Sequence, residues 1–148
     1  MNRREFISNT CLTCVSGGVL SGLLTSCGSS HYVAGTLEPK GISVSRSEFL
    51  FNKKGNQAVR QYIVVHHDQL EFPIYLYQVN QNVYNALWMK CAHQGSELNA
   101  AGDHLYCSSH GSEYDFNGKV IHGPAERNLR TFSVSIQNDK IIIELTKG

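Results

Sequence analysis

The sequence has little net charge and no run of basic or acidic residues. Its 13 Lys and Arg residues nearly balance its 12 Asp and Glu residues, for a formal net charge of +1. Nucleic-acid-binding surfaces need clustered basic residues, often interleaved with aromatic ones. Carboxylates such as Glu97 and Asp115 also show no paired arrangement that would indicate acid–base catalysis. We therefore expect no nucleic-acid partner, and the carboxylates predict no catalytic site.

Cysteine is scarce outside the N-terminal region. Of the five cysteines, three lie within residues 1–30, which leaves only Cys91 and Cys107 in the rest of the chain. At 148 residues the chain is expected to form one domain. If both remaining cysteines are metal ligands, that domain contains no disulfide.

The N-terminal region lacks an apolar run long enough to predict a membrane span. The stretch Thr10–Thr25 is only mildly apolar and is interrupted by three glycines. A spanning helix needs about 20 predominantly apolar residues. The stretch instead fits the apolar core of an export signal.

Two motifs flank this stretch. Arg3-Arg4 with Phe6 resembles a twin-arginine export motif, and the sequence Leu24-Thr25-Ser26-Cys27 resembles the box read by bacterial lipoprotein signal peptidase. We expect residues 1–26 to be a signal peptide, with lipid attached to Cys27 after cleavage. An uncleaved N-terminal anchor helix is the alternative, and it would leave the domain on the same side of the membrane.

Residues 27–148 would then form an exported domain that is anchored to a membrane and faces the periplasm or the cell exterior. More than one acyl chain makes such an anchor stable. The segment Gly28-Ser29-Ser30 is predicted to be a short flexible tether, so the domain should work close to the membrane surface. Because twin-arginine export carries folded proteins, a cofactor assembled in the cytoplasm could cross with the domain.

From His31 onward, the sequence alternates and turns like an all-β protein. No internal repeat or convincing amphipathic helix is found in it. Within residues 61–66, Tyr62 and Val64 share one face with His66, while Ile63 and Val65 lie on the other. The predicted strands are Tyr32–Leu37, Ile42–Ser45, Phe49–Phe51, Gln61–His66, Pro73–Val79, Val83–Lys90, Thr131–Gln137 and Lys140–Leu145.

Between the outer groups of strands lies a segment of different composition. Residues 91–124 are rich in glycine and histidine and are predicted to form a small, loop-dominated lobe that the strands present. Elsewhere, residues 52–57 are expected to form a polar loop, and Trp88 is expected in the core.

The lobe contains two short motifs that each offer one thiolate and one imidazole. They are Cys91-x-His93 and Cys107-x-x-His110. Cysteine and histidine are ligands that zinc and iron select. Zinc fingers usually place both cysteines in one motif and both histidines in the other, or use four cysteines. A mixed order is typical of an iron–sulfur centre in which two histidines replace two cysteines, and a structural zinc module remains the remote alternative.

This pattern resembles the Rieske family of iron–sulfur proteins. The family carries a proline loop over its cluster in the cytochrome bc type, and a similar run of residues is present here. The likeness extends over Gly95, the run His110-Gly111-Ser112-x-Tyr114, Asn117-Gly118 and Gly123-Pro124-Ala125.

The resemblance implies an antiparallel β-sandwich with a small inserted lobe that binds one [2Fe–2S] cluster. By the same resemblance, Cys91 and Cys107 hold the buried iron, while His93 and His110 hold the outer iron. Ligand charge then sets the redox chemistry. Two thiolates and two neutral imidazoles leave an oxidised cluster neutral, whereas four thiolates would make it a dianion. Histidine ligation therefore raises the potential from about −400 mV towards roughly −150 to +300 mV.

Two further residues are implied to tune the cluster. In the higher-potential branch of the family, a serine and a tyrosine after the second motif donate hydrogen bonds to a cluster sulfide and to a ligand sulfur. Ser112 and Tyr114 occupy those positions, so we expect a positive potential. Proton uptake at the histidine ligands is expected to accompany electron uptake, because a ferric ion should acidify the far ring nitrogen.

One departure from the family pattern concerns a disulfide. Rieske proteins of the cytochrome bc type carry two further cysteines that join the two loops, and here these positions are Ser96 and Ser109. A bridge of this kind typically stabilises by about 2–4 kcal/mol. The lobe is therefore expected to depend on its cluster to fold, and the departure weakens assignment to a standard quinol-oxidising complex.

The sequence thus predicts a membrane-anchored one-electron carrier that exchanges electrons with a cytochrome or a redox-enzyme subunit. The alternative is the electron-transfer subunit of a quinol-oxidising complex or of one that resembles arsenite oxidase. In both cases the chain is expected to be a carrier or a redox subunit rather than an enzyme alone.

Overall fold

The computed structural model describes residues 30–145, so the expected signal peptide and Cys27 lie outside the described residues. This part of the chain is built from strands, with one short 3₁₀ helix at Arg46–Phe49. It contains no helix with the length and apolar character of a membrane span. The all-β prediction is confirmed. The strands are β1 (Tyr32–Ala34), β2 (Thr36–Glu38), β3 (Gly41–Ser45), β4 (Leu50–Lys53), β5 (Asn56–Val59), β6 (Tyr62–His66), β7 (Ile74–Asn80), β8 (Val83–Trp88), β9 (Asn99–Ala101), β10 (His104–Tyr106), β11 (Glu113–Asp115), β12 (Val120–His122), β13 (Thr131–Gln137) and β14 (Lys140–Glu144).

The largest sheet has eight strands in the order β1-β6-β7-β8-β13-β14-β3-β2. Its neighbours are antiparallel except at one edge, where β1 and β6 run parallel with Tyr32 beside Val64. This pair departs from the expected purely antiparallel pattern, which short runs of alternating residues cannot distinguish from a parallel one.

A single glycine brings the two edges of this sheet together. β1 and β2 stand at opposite ends of the strand order, yet only Gly35 separates them in the chain. The Gly35 N–H donates to the carbonyl oxygen of His66 at 2.9 Å, and a Cβ on Gly35 would overlap the Cγ2 atom of Ile42. The predicted strand Tyr32–Leu37 is therefore two strands, and the sheet wraps round on itself.

The wrapped sheet encloses the first of two apolar cores. In β6, Ile63 and Val65 point into it, whereas Val64 points to the opposite face, so the predicted alternation is confirmed. Burial of this many branched side chains on one face is the main favourable contribution to folding. The fully buried aliphatic members are Ile42, Ile63, Val65, Ile74, Leu76, Ile141 and Ile143.

The inserted lobe carries its own four-stranded antiparallel sheet, in the order β12-β11-β10-β9. Loops and turns still make up most of residues 91–124, as predicted, but the four short strands were not predicted. Each of its strands has only three residues, which is too short to produce a readable alternation. In β10, only Leu105 is buried, between two more exposed neighbours.

The second apolar core fastens the lobe to the outer face of the large sheet. Tyr75 on β7 donates its hydroxyl hydrogen bond to the Gly102 carbonyl oxygen at 2.7 Å. Tyr77 stacks on Phe116 with 4.7 Å between ring centroids, and Asn85 donates to the Phe116 carbonyl oxygen at 3.1 Å. The lobe is therefore held by aromatic packing and by hydrogen bonds to its backbone.

One region differs from its predicted structure. Phe49 ends the 3₁₀ helix, and β4 and β5 form a hairpin through Lys54 and Gly55, which have φ angles of 51° and 84°. The predicted strand Phe49–Phe51 is confirmed over Leu50 and Phe51 only, and the predicted loop over residues 52–57 is limited to Lys54 and Gly55. Half of the residues in β4 and β5 are polar, and the polar ones are consecutive, so these strands lack the apolar alternation that identifies a half-buried strand.

The close approach of β3 and β14 generates a stability prediction. A Cβ on Gly41 would overlap the backbone carbonyl group of Ile143, which cannot move without disturbing the ladder. Gly41→Ala is expected to lower the free energy of unfolding by about 1–3 kcal/mol, measured by urea denaturation with circular dichroism. The control Thr36→Ala, on exposed β2, should change it by no more than about 0.5 kcal/mol, and equal stability of the two variants would contradict the prediction.

Candidate metal centre

The first metal-binding loop follows β8 and folds back on its own cysteine. The Cys91 N–H donates to the Ser96 carbonyl oxygen at 2.8 Å, and the Gly95 N–H donates to the Cys91 carbonyl oxygen at 2.9 Å. Gly95 has a φ of 76°, a left-handed conformation that glycine adopts without the steric cost of a Cβ. The two hydrogen bonds close a tight turn that contains His93.

The second loop follows β10 and repeats the same hydrogen-bond pattern. The Cys107 N–H donates to the Ser112 carbonyl oxygen at 2.8 Å, and the Gly111 N–H donates to the Cys107 carbonyl oxygen at 2.9 Å. His110 lies within this turn. The two loops are therefore local equivalents, each closing around a cysteine and carrying one histidine.

The four predicted ligands form two pairs. The thiols of Cys91 and Cys107 are 3% and 2% exposed and belong to the same apolar core. The rings of His93 and His110 meet edge to face, with centroids 4.9 Å apart and planes at 89°. His110 is exposed and His93 is partly buried. The structure thus brings all four together, with the sulfur pair on the inside and the imidazole pair on the outside.

His93 contains a buried polar atom that has no partner. Its Nδ1 is the one buried side-chain nitrogen or oxygen within residues 30–145 that makes no hydrogen bond. Such atoms are rare because an unsatisfied buried polar group is costly. A nitrogen that binds a metal needs no hydrogen bond, so this atom fits a ligand role.

The two-plus-two arrangement also bears on the kind of centre. A [2Fe–2S] cluster takes two protein ligands on each iron, and in Rieske centres one iron has two Cys and the other two His. A buried thiol pair next to an outer imidazole pair fits that ligand set.

Tyr114 joins the two loops. It is fully buried on β11, and its hydroxyl oxygen lies 3.1 Å from the Ala92 N–H and 3.4 Å from the Cys91 sulfur. Because the Ala92 N–H can only donate, the hydroxyl oxygen accepts that bond and its proton remains to donate to Cys91 Sγ. A residue that follows the second loop in sequence therefore holds the first loop in place.

The pKa values of Tyr114 and Cys91 are both shifted by this hydrogen bond. Burial and the hydrogen bond to Cys91 raise the pKa of Tyr114 to about 12, so its phenol stays protonated at neutral pH. Burial alone would raise the pKa of the Cys91 thiol. Hydrogen bonds from Tyr114, from the backbone of His93 and Gln94, and from Cys107 outweigh it and hold that pKa below its usual value. The environment of Cys91 thus favours the thiolate, which is the form that binds metal.

Ser112 is also fully buried, at the other side of the second loop. Its hydroxyl oxygen accepts a 3.1 Å hydrogen bond from the Ala125 N–H, which leaves the hydroxyl proton available to donate. Ala125 belongs to the Gly-Pro-Ala segment identified in the sequence, and it is buried while Gly123 and Pro124 are exposed. This contact fastens the proline segment to the second loop.

Ser96 and Ser109 occupy the positions of the missing disulfide and touch each other. The Ser109 hydroxyl donates to the Ser96 hydroxyl oxygen at 3.0 Å. A direct link between the loops therefore exists here as a hydrogen bond. Such a bond contributes about 1 kcal/mol, less than a disulfide.

The structure also shows contacts that the sequence did not predict. Trp88 is partly exposed rather than in the core, so that expectation is wrong. The ammonium group of Lys90 lies 5.0 Å from the centroids of both Trp88 and Phe72, and the Arg130 guanidinium carbon lies 5.6 Å from the Trp88 centroid. The sequence offered one signal for these contacts. Lys90 directly precedes Cys91, and aromatic rings attract cationic groups.

Comparisons with known proteins agree with this geometry. A family model for the Rieske [2Fe-2S] domain matches residues 51–133. The cytochrome b6-f complex iron-sulfur subunit of Desmonostoc sp. (strain PCC 7906) is 30% identical over 161 residues, covering 97% of this chain and 84% of that protein. Iron-sulfur subunit 1 of the same complex in Nostoc sp. (strain PCC 7120) is 42% identical over 55 residues, 36% of this chain. That alignment spans only 31% of the Nostoc protein.

Solved structures show the same fold. The plasma membrane Rieske protein PetC3 from Synechocystis PCC 6803 matches with a TM-score of 0.50 and 24% identity, covering 57% of this chain and 86% of that one. A chain of a hyperthermophilic respiratory Complex III matches with a TM-score of 0.52 and 17% identity, covering 94% and 93%. With a family model across more than half of its length and a relative aligned along nearly all of it, the chain belongs to the Rieske family, whose domain binds a [2Fe–2S] cluster.

Proposed function

We propose that this chain is a one-electron carrier whose [2Fe–2S] cluster is bound by Cys91, Cys107, His93 and His110. The observation that carries the proposal is the pairing of two buried thiols with two outer imidazoles in equivalent loops. When bound, such a cluster supplies reversible one-electron transfer without a change of ligands. The protein's own contribution is to bind it, to shield its inner half from water and to leave its outer half accessible.

The difference in burial between the two pairs assigns separate roles to them. Cys91 and Cys107 lie in the apolar core, where water is excluded. His110 is exposed, and its ring is the ligand that a partner protein can approach. We therefore propose that electrons enter and leave through the imidazole side.

Tyr114 and Ser112 are proposed to adjust the potential. A hydrogen bond to a ligand sulfur stabilises the more negatively charged, reduced state more than the oxidised state. The Tyr114 hydroxyl is oriented towards Cys91 Sγ by the bond it accepts from Ala92. Ser112 retains a proton for donation inside the same buried region, and both effects favour a positive potential.

The cellular setting is proposed from the N-terminal motifs. Residues 1–26 would be removed as a twin-arginine and lipoprotein signal, and Cys27 would carry the lipid anchor. The domain would then face the periplasm or the cell exterior and exchange electrons with a cytochrome or a redox-enzyme subunit. The relatives named above are subunits of cytochrome complexes, which supports a cytochrome as the partner.

A second candidate is the electron-transfer subunit of a quinol-oxidising or arsenite oxidase-like complex. The b6-f relatives and the Complex III chain favour it. The two candidates differ in what accompanies the chain when it is purified in mild detergent from its own membranes. A carrier is expected to purify without a stoichiometric cytochrome b or molybdenum subunit, and recovery of either at one per chain would favour the second candidate.

The ligand assignment predicts a definite composition. The purified chain should contain two irons and two acid-labile sulfides, and its reduced form should give an electron paramagnetic resonance signal, in line with a Rieske centre. Cys107→Ser should lose both elements, whereas Ser108→Ala, at the exposed neighbouring position, should retain them. One zinc per chain with no sulfide would refute the assignment.

The role of Tyr114 predicts a shift in potential. If its hydrogen bond is stronger by about 1 kcal/mol in the reduced state, Tyr114→Phe should lower the midpoint potential by roughly 40 mV, at 59 mV per tenfold change for one electron. Redox titration of the cluster-loaded variants measures this shift. Tyr106→Phe is the matched control, because Tyr106 is exposed on the adjacent strand, and equal potentials in the two variants would show that Tyr114 does not act as a donor.

A further inference from the structure

The described chain joins the large sheet level with the middle of its strands. Because β1 runs parallel to β6, Ser30 lies beside Tyr62, with 3.1 Å between their hydroxyl oxygens. Tyr62 is opposite Tyr77, the middle residue of β7. We call the half of the sheet from this level to the Asn80 end of β7 the tether end.

The metal-binding loops leave from the opposite end. Ile74, at the start of β7, is opposite Trp88, at the end of β8. The three steps from Tyr77 to Ile74 advance about 10 Å along the strand, and Cys91 follows Trp88 further in the same direction. Ser30 therefore joins the sheet about 10 Å from the end at which the loops leave, and Val79 lies beyond that level on the side away from the loops.

Exposed apolar side chains lie at the tether end. Val59 and Val79 are 60% and 45% exposed and line an open cleft of about 400 Å³ with Arg60 and neighbouring polar residues. Leu50, opposite Val59 in the β4–β5 hairpin, is 42% exposed. Exposed apolar side chains that gather at one place mark an interaction surface.

The same end presents two arginines. Arg60 donates to the Leu50 carbonyl oxygen at 2.8 Å, and Arg46 donates to the Gln81 carbonyl oxygen at 2.8 Å, so two guanidinium groups are fixed beside the cleft. The other charged groups near this end are Glu48, which pairs with His31, Asp139, and Lys140, which pairs with Glu38. Within residues 30–145, neither guanidinium group pairs with a carboxylate.

We propose that the tether end rests on the surface of an anionic lipid bilayer, with the metal-binding loops directed away from it. The inference rests on the proposed lipid anchor at Cys27. Cys27 stands three residues before Ser30, a distance of at most about 11 Å in an extended chain. Since Ser30 is bonded to Tyr62, the face around Val59 and Val79 is the one that such an anchor holds against the membrane. Apolar side chains flanked by arginine suit an anionic interface.

This orientation narrows the class of partner. With the loop end directed towards the aqueous phase, the exposed His110 is reached by a water-soluble or peripheral redox protein. The short tether opposes the rotation that would bring His110 down to a redox site within the membrane. This orientation therefore favours the carrier over a subunit that reacts at the membrane surface.

Tryptophan fluorescence tests the orientation, because Trp88 is the only tryptophan in the chain and lies at the loop end. The full, cluster-loaded chain is reconstituted in phosphatidylcholine–phosphatidylglycerol vesicles with or without bromine atoms on the acyl chains. The reporter Val59→Trp in a Trp88→Phe background should lose at least half of its fluorescence to the brominated lipid, while native Trp88 should be unchanged. Val79→Trp in the same background is a second reporter should the first variant not fold.

Charge variants test the lipid chemistry. Arg46→Gln should reduce the quenching of the Val59→Trp reporter at least twofold in these vesicles, whereas Lys40→Gln, at the loop end of β3, should not. Quenching of Trp88 equal to that of the reporters, or no quenching of either reporter, would overturn the orientation. The anchor is judged separately by mass spectrometry of the membrane-extracted chain. A Cys27 without acyl groups refutes the anchor alone, while the reporters still decide whether this face meets the bilayer.

Discussion

Two hydrogen bonds of the Tyr114 hydroxyl hold the candidate metal centre together. The hydroxyl accepts a bond from the backbone of the first loop and offers its proton to the Cys91 sulfur, although Tyr114 itself follows the second loop. Together with the hydrogen bond between Ser109 and Ser96, this contact links the two loops. The burial of Tyr114 excludes competing water, which makes the bond stronger than it would be at the surface.

That contact depends in turn on the sheet beneath it. Tyr114 sits in the middle of a three-residue strand whose neighbours are equally short, and such a small sheet is not stable alone. Packing of Tyr75 and Tyr77 against the lobe supplies the missing apolar burial. The wrapped eight-stranded sheet therefore acts as a rigid base. At Gly35 the chain passes directly from one edge strand, β1, to the other edge strand, β2.

The proposed ligands are the residues that stand out most clearly in the sequence. Metal ligation requires particular side chains at short spacings, and Cys91, His93, Cys107 and His110 have such spacings. The interior strands were predictable for a similar reason, since Ile63 and Val65 alternate with Tyr62 and Val64. Prediction failed where a segment has neither ligand spacing nor apolar alternation. The β4–β5 hairpin is polar at half of its strand positions, with no alternation, and Trp88 contacts Lys90 and Arg130 rather than lying in the core.

By itself, the sequence determined the all-β class, the family and the two cysteine–histidine motifs proposed to bind the cluster, because each of these depends on local spacing and residue type. Only the tertiary structure decided which partners those residues have. The donor direction at Tyr114, the hydrogen bond between Ser96 and Ser109, and the separation of Ser30 from the metal-binding loops all join segments that are distant along the chain. Such pairings follow from strand order and register, which depend on how the whole apolar surface is buried and not on any short stretch of residues.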